Sequence, residues 1–338
     1  MNRRKIMATQ RRRAVSTAVE DELRGPNRSR PAPAKRTTRS GAARAKRPAA
    51  RFDTQARITH PERIVFPQLA VSKLDVARYY TAVAEWIMPE LRRRPLSLLR
   101  CPDGMARACF FQKHLTANLG AHVRGVRIKD STGSQDYLCV DDAVGLLELV
   151  QMNTIEFHPW GALARSPDRA DRIVFDLDPH ASVAWSDVVA GSALIRAHLD
   201  LLGITSFLRT SGGKGLHIVV PLKPALPWKS VRPFARGVAE ALTTRHPDRF
   251  VSVAGEDKRA GRIFIDWLRN ARGATSVASY SLRARSDAGV AMPLAWQNLA
   301  KLESAHAFSI ADALAHIKRR RSDPWSDIDR IEQSLPRS

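Results

Sequence analysis

Three aspartates in apolar surroundings are the clearest sign of chemistry in the sequence. Asp176 and Asp178 end the segment 173–178, and Asp266 ends the segment 263–266. Because side chains alternate along a strand, Asp176 and Asp178 are expected on one face. Carboxylates so close repel unless cations neutralise them, and such pairs hold Mg²⁺ or Mn²⁺ for phosphoryl transfer. The sequence therefore predicts a metal site at these three residues; solvated turn acids, or for Asp266 a buried salt bridge to arginine, are the alternatives.

A glycine-rich segment, Ser211-Gly-Gly-Lys-Gly-Leu-His217, joins two apolar stretches. Its glycines can present backbone N–H groups to an anion, and three of its side chains add donors. The spacing differs from GxxxxGK[ST], and a strand is expected after the segment instead of a helix, which disfavours an ordinary ATPase. The predicted phosphate-binding residues are Ser211, Gly212, Lys214, Gly215 and His217; a glycine hairpin with an exposed lysine is the alternative.

Basic and aromatic residues accompany these motifs. Arg269 and Arg283 follow the third aspartate, and guanidinium groups suit phosphates, although a run of charge is more often a solvated surface. In Phe110-Phe-Gln-Lys-His114, one Phe is expected to face the core and the other to face outward, where it can stack on a base. His158, in Glu156-Phe-His-Pro-Trp160, is a metal ligand, a phosphate ligand or a turn histidine, and the residues alone leave this open.

The elements that must position these residues alternate between strands and helices. Ser72 to Glu90 is predicted to be a helix capped by Ser72, and further helices are predicted at 141–150, 185–202 and 231–245. Apolar strands are predicted at 95–99, 108–111, 171–179, 204–209, 216–222 and 262–267. Interleaved strands and helices imply an α/β core.

The composition points to a polyanionic partner and away from a membrane. The 338 residues include 55 Lys and Arg against 33 Asp and Glu, a formal net charge of +22. Residues 1–50 carry 15 of the basic residues and no aromatic residue, so a disordered tail is expected there, either a phosphate tether or a solubilising leader. A globular domain is expected over 51–338. No stretch approaches the roughly 18 uncharged apolar residues of a membrane span, so a soluble intracellular protein is expected.

The cysteines give little sign of function. Cys101, Cys109 and Cys139 form no CxxC pair, so neither a disulfide framework nor a thiolate zinc site is predicted. All three are expected to be small buried hydrophobic residues.

Five motifs, in chain order, resemble the polymerase domain of bacterial DNA ligase D, the end-joining branch of the archaeo-eukaryotic primase superfamily. They are Phe110-Phe-Gln-Lys-His114, Phe157-His-Pro-Trp160, Asp176-Leu-Asp-Pro179, Ser211-Gly-Gly-Lys-Gly-Leu-His217 and Ile265-Asp-Trp-Leu-Arg-Asn270. The resemblance spans residues 55–330, and it implies an α/β (α+β) primase-polymerase fold. In that fold a small N-terminal α/β part packs on a catalytic module that resembles an RNA-recognition (RRM) fold.

The resemblance implies a role for each matching residue. Asp176, Asp178 and Asp266 match metal-binding acids, which implies two divalent ions, Mn²⁺ or Mg²⁺. Arg63 and Lys73 match two basic residues that bind a 5′-phosphate at a gap or overhang, the first being more commonly lysine in the family. The residues that match nucleotide contacts are Phe110, Phe111, Lys113, His158, Ser211, Gly212, Lys214, Gly215, His217, Arg269 and Arg283.

The expected function is that of a template-dependent polymerase in non-homologous end joining, adding one or a few nucleotides, often ribonucleotides, at gaps and DNA ends. The expected partners are DNA with a 5′-phosphate, NTP or dNTP, Ku and a separate ATP-dependent DNA ligase, in the bacterial cytoplasm at the nucleoid. Because no KxDG ligase signature occurs in the 338 residues, a stand-alone polymerase that relies on sealing by another protein is expected. A primer-independent primase and a catalytically silent DNA-end-bridging module are the alternatives, and the intact acids favour catalysis over the second.

Overall fold

The computed structural model describes residues 57–117, 119–319 and 322–336. The tail predicted for residues 1–50 lies outside these residues. The helices described are α1 (Lys73–Leu91), α2 (Ala143–Gln151), α3 (Trp185–Leu201), α4 (Trp228–Arg245) and α5 (Ile310–Arg319). The strands described are β1 (Ile64–Phe66), β2 (Val71–Ser72), β3 (Leu96–Arg100), β4 (Phe110–Gln112), β5 (Val123–Asp130), β6 (Gly133–Val140), β7 (Thr154–Pro159), β8 (Arg169–Pro179), β9 (Phe207–Thr210), β10 (Leu216–Pro227), β11 (Phe250–Val251), β12 (Ile263–Asp266) and β13 (Pro293–Leu294).

A six-stranded sheet in the order β11-β12-β8-β10-β9-β13 forms the centre of the fold. Its pairs are antiparallel except for β11 with β12. Ile173, Phe175 and Leu177 alternate along β8 and are fully buried in the main core, on the face that α3 and α4 cover. The intervening positions, including Asp176 and Asp178, therefore point to the opposite face.

The N-terminal part of the described chain is a smaller α/β unit. Helix α1 begins at the predicted cap: Ser72 Oγ accepts the Asp75 N–H at 3.2 Å, and the Asp75 carboxylate accepts the Ser72 N–H at 3.0 Å. The helix continues through Pro89 and ends at Leu91. A three-stranded sheet, β4-β3-β7, and the hairpin β5-β6 complete the unit. One apolar cluster runs from α1 through both sheets to α4, so the predicted α/β core is confirmed.

Beyond the end of β12, the side chain of Asn270 takes the place of a neighbouring strand beside β8. Asn270 is 1% exposed, its Oδ1 accepts the Val174 N–H at 2.8 Å, and its Nδ2 donates to the Val174 carbonyl at 2.8 Å. The Asn270 amide therefore continues the hydrogen-bonding ladder of β8 beyond Asp266, while residues 267–269 leave the sheet.

The prediction for the cysteines is wrong for two of the three. Cys101 and Cys109 form a disulfide, and Cys109 is only half-buried; Cys139 is free and buried, as predicted. The register of β3 and β4 pairs Arg100 with Phe110. Cys101, which follows Arg100, therefore lies opposite Cys109, which precedes Phe110. Sequence spacing could not show this, because it depends on the turn between the two strands.

None of the helices in the described ranges combines the length and the apolar character needed to cross a membrane.

Candidate active site

The three predicted acidic residues lie together on the face of the central sheet opposite α3 and α4. Asp266 on β12 is the cross-strand partner of Asp176 on β8, and Asp178 lies two residues further along β8. The alternation of β8 therefore places Asp176 and Asp178 on one face, as the sequence predicts. We call the three residues the carboxylate face.

Cationic side chains neutralise the carboxylate face. Arg269 Nε lies 3.0 Å from Asp266 and 3.7 Å from Asp176, and the guanidinium of Arg259 donates to Asp178. Burial would raise the pKa of Asp176, but His217, Arg269 and Arg283 outweigh it and lower that pKa to about 2. Burial, together with the Asp176 charge, raises the pKa of Asp266 despite Arg269. Two arginines thus pair with three carboxylates, so they offset only part of the negative charge of the site.

The donor set of the carboxylate face fits a hard divalent cation. Its oxygens come from three aspartates, and Mg²⁺ and Mn²⁺ prefer such ligands. As they stand, no three acidic, histidine or cysteine side chains among the described residues are grouped closely enough to hold a metal. A cation at these aspartates would therefore replace contacts that Arg259 and Arg269 now make.

A series of buried, hydrogen-bonded polar side chains connects Asp176 to the core of the protein. His217 Nε2 lies 3.3 Å from Asp176, Arg209 Nε donates to His217 Nδ1 at 3.1 Å, and Arg209 Nη1 donates to Glu90 at 2.9 Å. The Glu90 carboxylate also accepts from the Ser279 hydroxyl at 2.7 Å. Since Nδ1 of His217 accepts from an arginine, the ring proton sits on Nε2 and points to Asp176. Burial lowers the pKa of His217, and the Arg209 charge lowers it further.

The glycine-rich loop between β9 and β10 lies beside Asp176. Its Ser211 Oγ accepts from the Gly213 and Gly215 amides at 3.1 and 3.2 Å, so two of the N–H groups expected to bind an anion are already bonded. A Cβ on Gly215 would lie 1.6 Å from the Leu177 carbonyl oxygen, which explains why glycine stands there. Lys214 is exposed and leaves its ammonium for a ligand. Gly212 has φ +63°, a conformation that favours glycine.

A second chain connects this loop to β7. Arg283 donates to the Ser211 carbonyl at 2.6 Å and lies 3.1 Å from Glu156, which is 2.8 Å from His158 Nε2. Burial would raise the pKa of Glu156, but His158 and Arg283 lower it to about 2. Burial lowers the pKa of His158, and the charges of Arg283 and Arg269 add to this. His158 lies within β7, opposite Ser97 of β3, and not in a turn.

Two exposed aromatic side chains adjoin His158. Phe110 and Phe111 on the edge strand β4 are 47% and 57% exposed, so the expectation that one faces the core is wrong. The next residue, Gln112, is the buried one and pairs with the buried Leu98 of β3, whereas both phenylalanines lie at the outer end of this edge strand. The ring of Phe111 lies 5.5 Å from that of His158. We call Phe110, Phe111 and His158 the aromatic patch.

Lys113 follows this patch and is exposed, with its carbonyl accepting from the Leu138 amide of β6 at 3.0 Å.

The two residues predicted to hold a 5′-phosphate lie at the start of α1. The Lys73 amide donates to the Arg63 carbonyl at 2.8 Å, and Arg63 Nη1 donates to the Pro102 carbonyl at 2.6 Å. Lys73 is only 3% exposed, and burial, together with the Arg63 charge, lowers its pKa to about 8. Two neighbouring cations, one of them buried, are destabilised by each other and would be stabilised by an anion.

Sequence reasoning missed four residues of this region. Glu90, Arg209 and Glu156 are buried and ion-paired, and Arg259 reaches Asp178 from a loop. Glu156 had a signal, since it lies two residues before His158 on one strand face. Arg209 and Glu90 are 119 positions apart, and nothing local in the sequence connects them.

Comparison with known proteins places the chain in a family. Residues 72–325 match the family described as LigD, primase-polymerase domain. The chain is 38% identical over 300 residues to the multifunctional non-homologous end joining protein LigD of Pseudomonas aeruginosa, covering 87% of this chain and 35% of that protein. It is 31% identical over 254 residues to the LigD of Mycolicibacterium smegmatis, covering 75% of this chain and 33% of that protein.

A solved structure agrees with these relatives. The polymerase domain of Mycobacterium tuberculosis ligase D in complex with DNA has a TM-score of 0.76 to this chain at 27% identity, covering 83% of this chain and 100% of that one. The fold is thus that of a primase-polymerase domain. The chain belongs to the LigD primase-polymerase domain family, and the predicted fold is confirmed. It spans about a third of the length of the two curated relatives named above.

Proposed function

We propose that the protein is a nucleotidyltransferase that adds one or a few nucleotides to a primer 3′ end, directed by a template, at gaps and ends of DNA during non-homologous end joining. The observation that carries the proposal is the register that pairs Asp266 with Asp176 beside the glycine-rich loop. The relatives support the pathway, because they are named non-homologous end joining proteins. The DNA complex of the M. tuberculosis domain supports DNA as the substrate.

In this proposal each group of residues has a separate task. Asp176, Asp178 and Asp266 would hold two divalent cations, Mg²⁺ or Mn²⁺. When bound, such ions activate the attacking hydroxyl and stabilise charge on the transferring phosphoryl group. His217 orients Asp176 by the proton on Nε2. The triphosphate is bound by Lys214, the Ser211 hydroxyl, Arg269 and Arg283. The aromatic patch contacts the bases.

Arg63 and Lys73 are proposed to bind the 5′-phosphate on the far side of a gap. Their proximity and the depressed pKa of Lys73 support an anion site there. Ku and a separate ATP-dependent DNA ligase are the proposed protein partners, acting in the bacterial cytoplasm.

The test is nucleotide addition on a duplex with a one-nucleotide gap and a 5′-phosphate, given one labelled nucleotide at a time with Mn²⁺ or Mg²⁺. We expect addition of the nucleotide complementary to the template, and loss of at least about a thousandfold in rate for the Asp176→Ala/Asp178→Ala variant, with DNA binding retained. The matched control is Asp187→Ala, which removes an exposed carboxylate on α3. Addition without a primer would favour a primase, and undiminished addition by the double variant would remove the carboxylates from the reaction. Binding without addition under any condition would favour an end-bridging module.

A further inference from the structure

A groove between α4 and the segment after β12 lies outside the carboxylate face. It has a volume of about 510 Å³ and is lined mainly by Trp228, Lys229, Arg232, Arg236, Trp267 and Arg272. Trp267 immediately follows Asp266 in the chain but lies against arginines of α4, the helix that covers the other face of the sheet. One short segment thus separates the carboxylate face from the groove.

The aromatic walls of the groove are held in fixed positions. The indole N–H of Trp228 donates to the Pro167 carbonyl and that of Trp267 to the Ser252 carbonyl, each at 2.9 Å. Trp228 is 9% exposed, whereas Trp267 is half-buried and borders solvent. The two indoles are therefore preorganised, and a ligand would order few side chains on binding.

The polar walls of the groove are cationic. The guanidinium groups of Arg232 and Arg236 each lie 5.7 Å from the Trp267 ring centroid. Arg236 is paired with Glu240 at 2.8 Å, and Arg272 with Asp168 at 2.6 Å. Within the part of the chain that the structure describes, Lys229 and Arg232 have no carboxylate partner. The groove thus offers two exposed, uncompensated cations beside aromatic surface.

We infer that this groove binds a single-stranded segment of DNA, as a second nucleic-acid site separate from the carboxylate face. Cations along a groove with aromatic surface are the features by which proteins bind single strands, the former contacting phosphates and the latter contacting bases. A duplex buries the faces of its bases and could use only the cations. The inference rests on the proposed function, because gaps and overhangs supply unpaired nucleotides next to the site of addition.

The test is fluorescence anisotropy of a labelled twelve-nucleotide thymidine strand with the full chain, without nucleotide or metal. Lys229→Ala/Arg232→Ala should bind the strand at least about fivefold more weakly, and the slope of log affinity against log salt should fall by about 1.4, since each phosphate contact on a single strand contributes about 0.7. The matched control is Arg245→Ala/Lys301→Ala, which removes two exposed cations away from the groove. The basic residues of the tail are common to all three proteins.

Three results would overturn the inference. The groove variant and the control could lose affinity equally, or the groove variant could lose as much affinity for a blunt duplex as for the single strand. The groove variant could also keep its affinity for the strand but lose binding of a decaglutamate peptide, which would indicate an acidic protein partner. Addition to a fully paired primer with a one-nucleotide gap, measured with the same proteins, tests the proposed function separately.

Discussion

The carboxylate face and the aromatic patch are prepared for a ligand in opposite ways. At the carboxylate face, Arg259, Arg269 and His217 already contact the acids, and Arg209 and Glu90 support them from the core. At the aromatic patch, two phenylalanine rings are half exposed to solvent. The first region must exchange protein contacts for ligand contacts, whereas the second adds contacts to a free surface. The difference predicts that substitutions in the first region change stability and activity together, and those of the two phenylalanines change binding alone.

The largest effect is expected where the carboxylate face meets the core. Glu90→Gln leaves the buried Arg209 without its carboxylate partner and removes one of the two carboxylates that pair with Arg172. Breaking a buried ion pair in this way costs about 3–5 kcal/mol. Urea unfolding should show this loss. The matched control, Asp200→Asn in an exposed pair on α3, should cost less than about 0.5 kcal/mol. Equal stability of the two variants would mean that the Glu90 chain does not support the site.

The two residues proposed to bind a 5′-phosphate, Arg63 and Lys73, lie between the two extremes, since Lys73 is buried but has no carboxylate partner among the described residues. Charge-assisted contacts to phosphate contribute about 1.5–3 kcal/mol, so wild-type protein should bind phosphorylated gaps about tenfold to a hundredfold more tightly than hydroxyl-ended ones. Arg63→Ala/Lys73→Ala should abolish this preference, and Arg78→Ala, on the same helix, should keep it. Matched binding titrations measure it. An equal loss by the double variant on both substrates would exclude the pocket.

The same preference should depend on pH. Lys73 has a pKa of about 8 without ligand, so it is charged below that value and neutral above it. Raising the pH from about 7 to about 9 should therefore weaken the preference for phosphate, with the midpoint shifted upward by the bound anion. Lys73→Arg should remove this dependence, because arginine stays charged. A pH dependence that persists in Lys73→Arg would assign the titration to another group.

A substitution at Gly215 tests whether nucleotide addition depends on the position of the strand that carries Asp176 and Asp178. In Gly215→Ala the new methyl group would collide with the Leu177 carbonyl, between Asp176 and Asp178. We expect the free energy of unfolding to fall by about 1–3 kcal/mol, because the strand that carries both acids must shift. The rate of nucleotide addition should fall by a larger fraction than the free energy of unfolding does. Gly237→Ala on α4, where a Cβ would meet open space, is the control and should be neutral or slightly stabilising. Wild-type activity in Gly215→Ala would show that the position of β8 is not critical.

The smallest effect is expected at the aromatic patch. Phe110→Ala/Phe111→Ala should weaken binding of templates with unpaired bases by about 1 kcal/mol per ring, the low end of the range for stacking, and leave the unfolding midpoint unchanged. Leu201→Ala, at a residue 79% exposed on α3, is the apolar control. A loss of stability as large as that of Glu90→Gln would contradict the distinction between the two regions.

The sequence predicted best those features that short-range periodicity and capping determine. The Ser72 cap, the alternation of Asp176 and Asp178, and the strands on both sides of the glycine-rich loop were predicted from neighbouring residues. The sequence predicted that Asp266 lies close to Asp176. It did not predict that the two are cross-strand partners, since strand order depends on the whole sheet. Arg209 and Arg259 could not be predicted, because only tertiary packing brings them to His217 and Asp178.

The same reasoning explains the errors at β3 and β4. Whether Phe110 is exposed and whether Cys101 meets Cys109 both depend on where a three-residue edge strand begins, and local propensity defines element boundaries poorly.

The Asn270 amide bonds to both backbone groups of Val174, and this protects the protein against aggregation as well as completing the sheet. A strand whose partner stops early exposes unpaired N–H and C=O groups, and such an edge is a template for pairing with another chain. One side chain satisfies both groups of Val174 and so blocks that edge without extending β12. The segment between Asp266 and Asn270 is thereby released from sheet geometry, which lets Arg269 turn back to Asp266 while Val174 stays protected against edge-to-edge association.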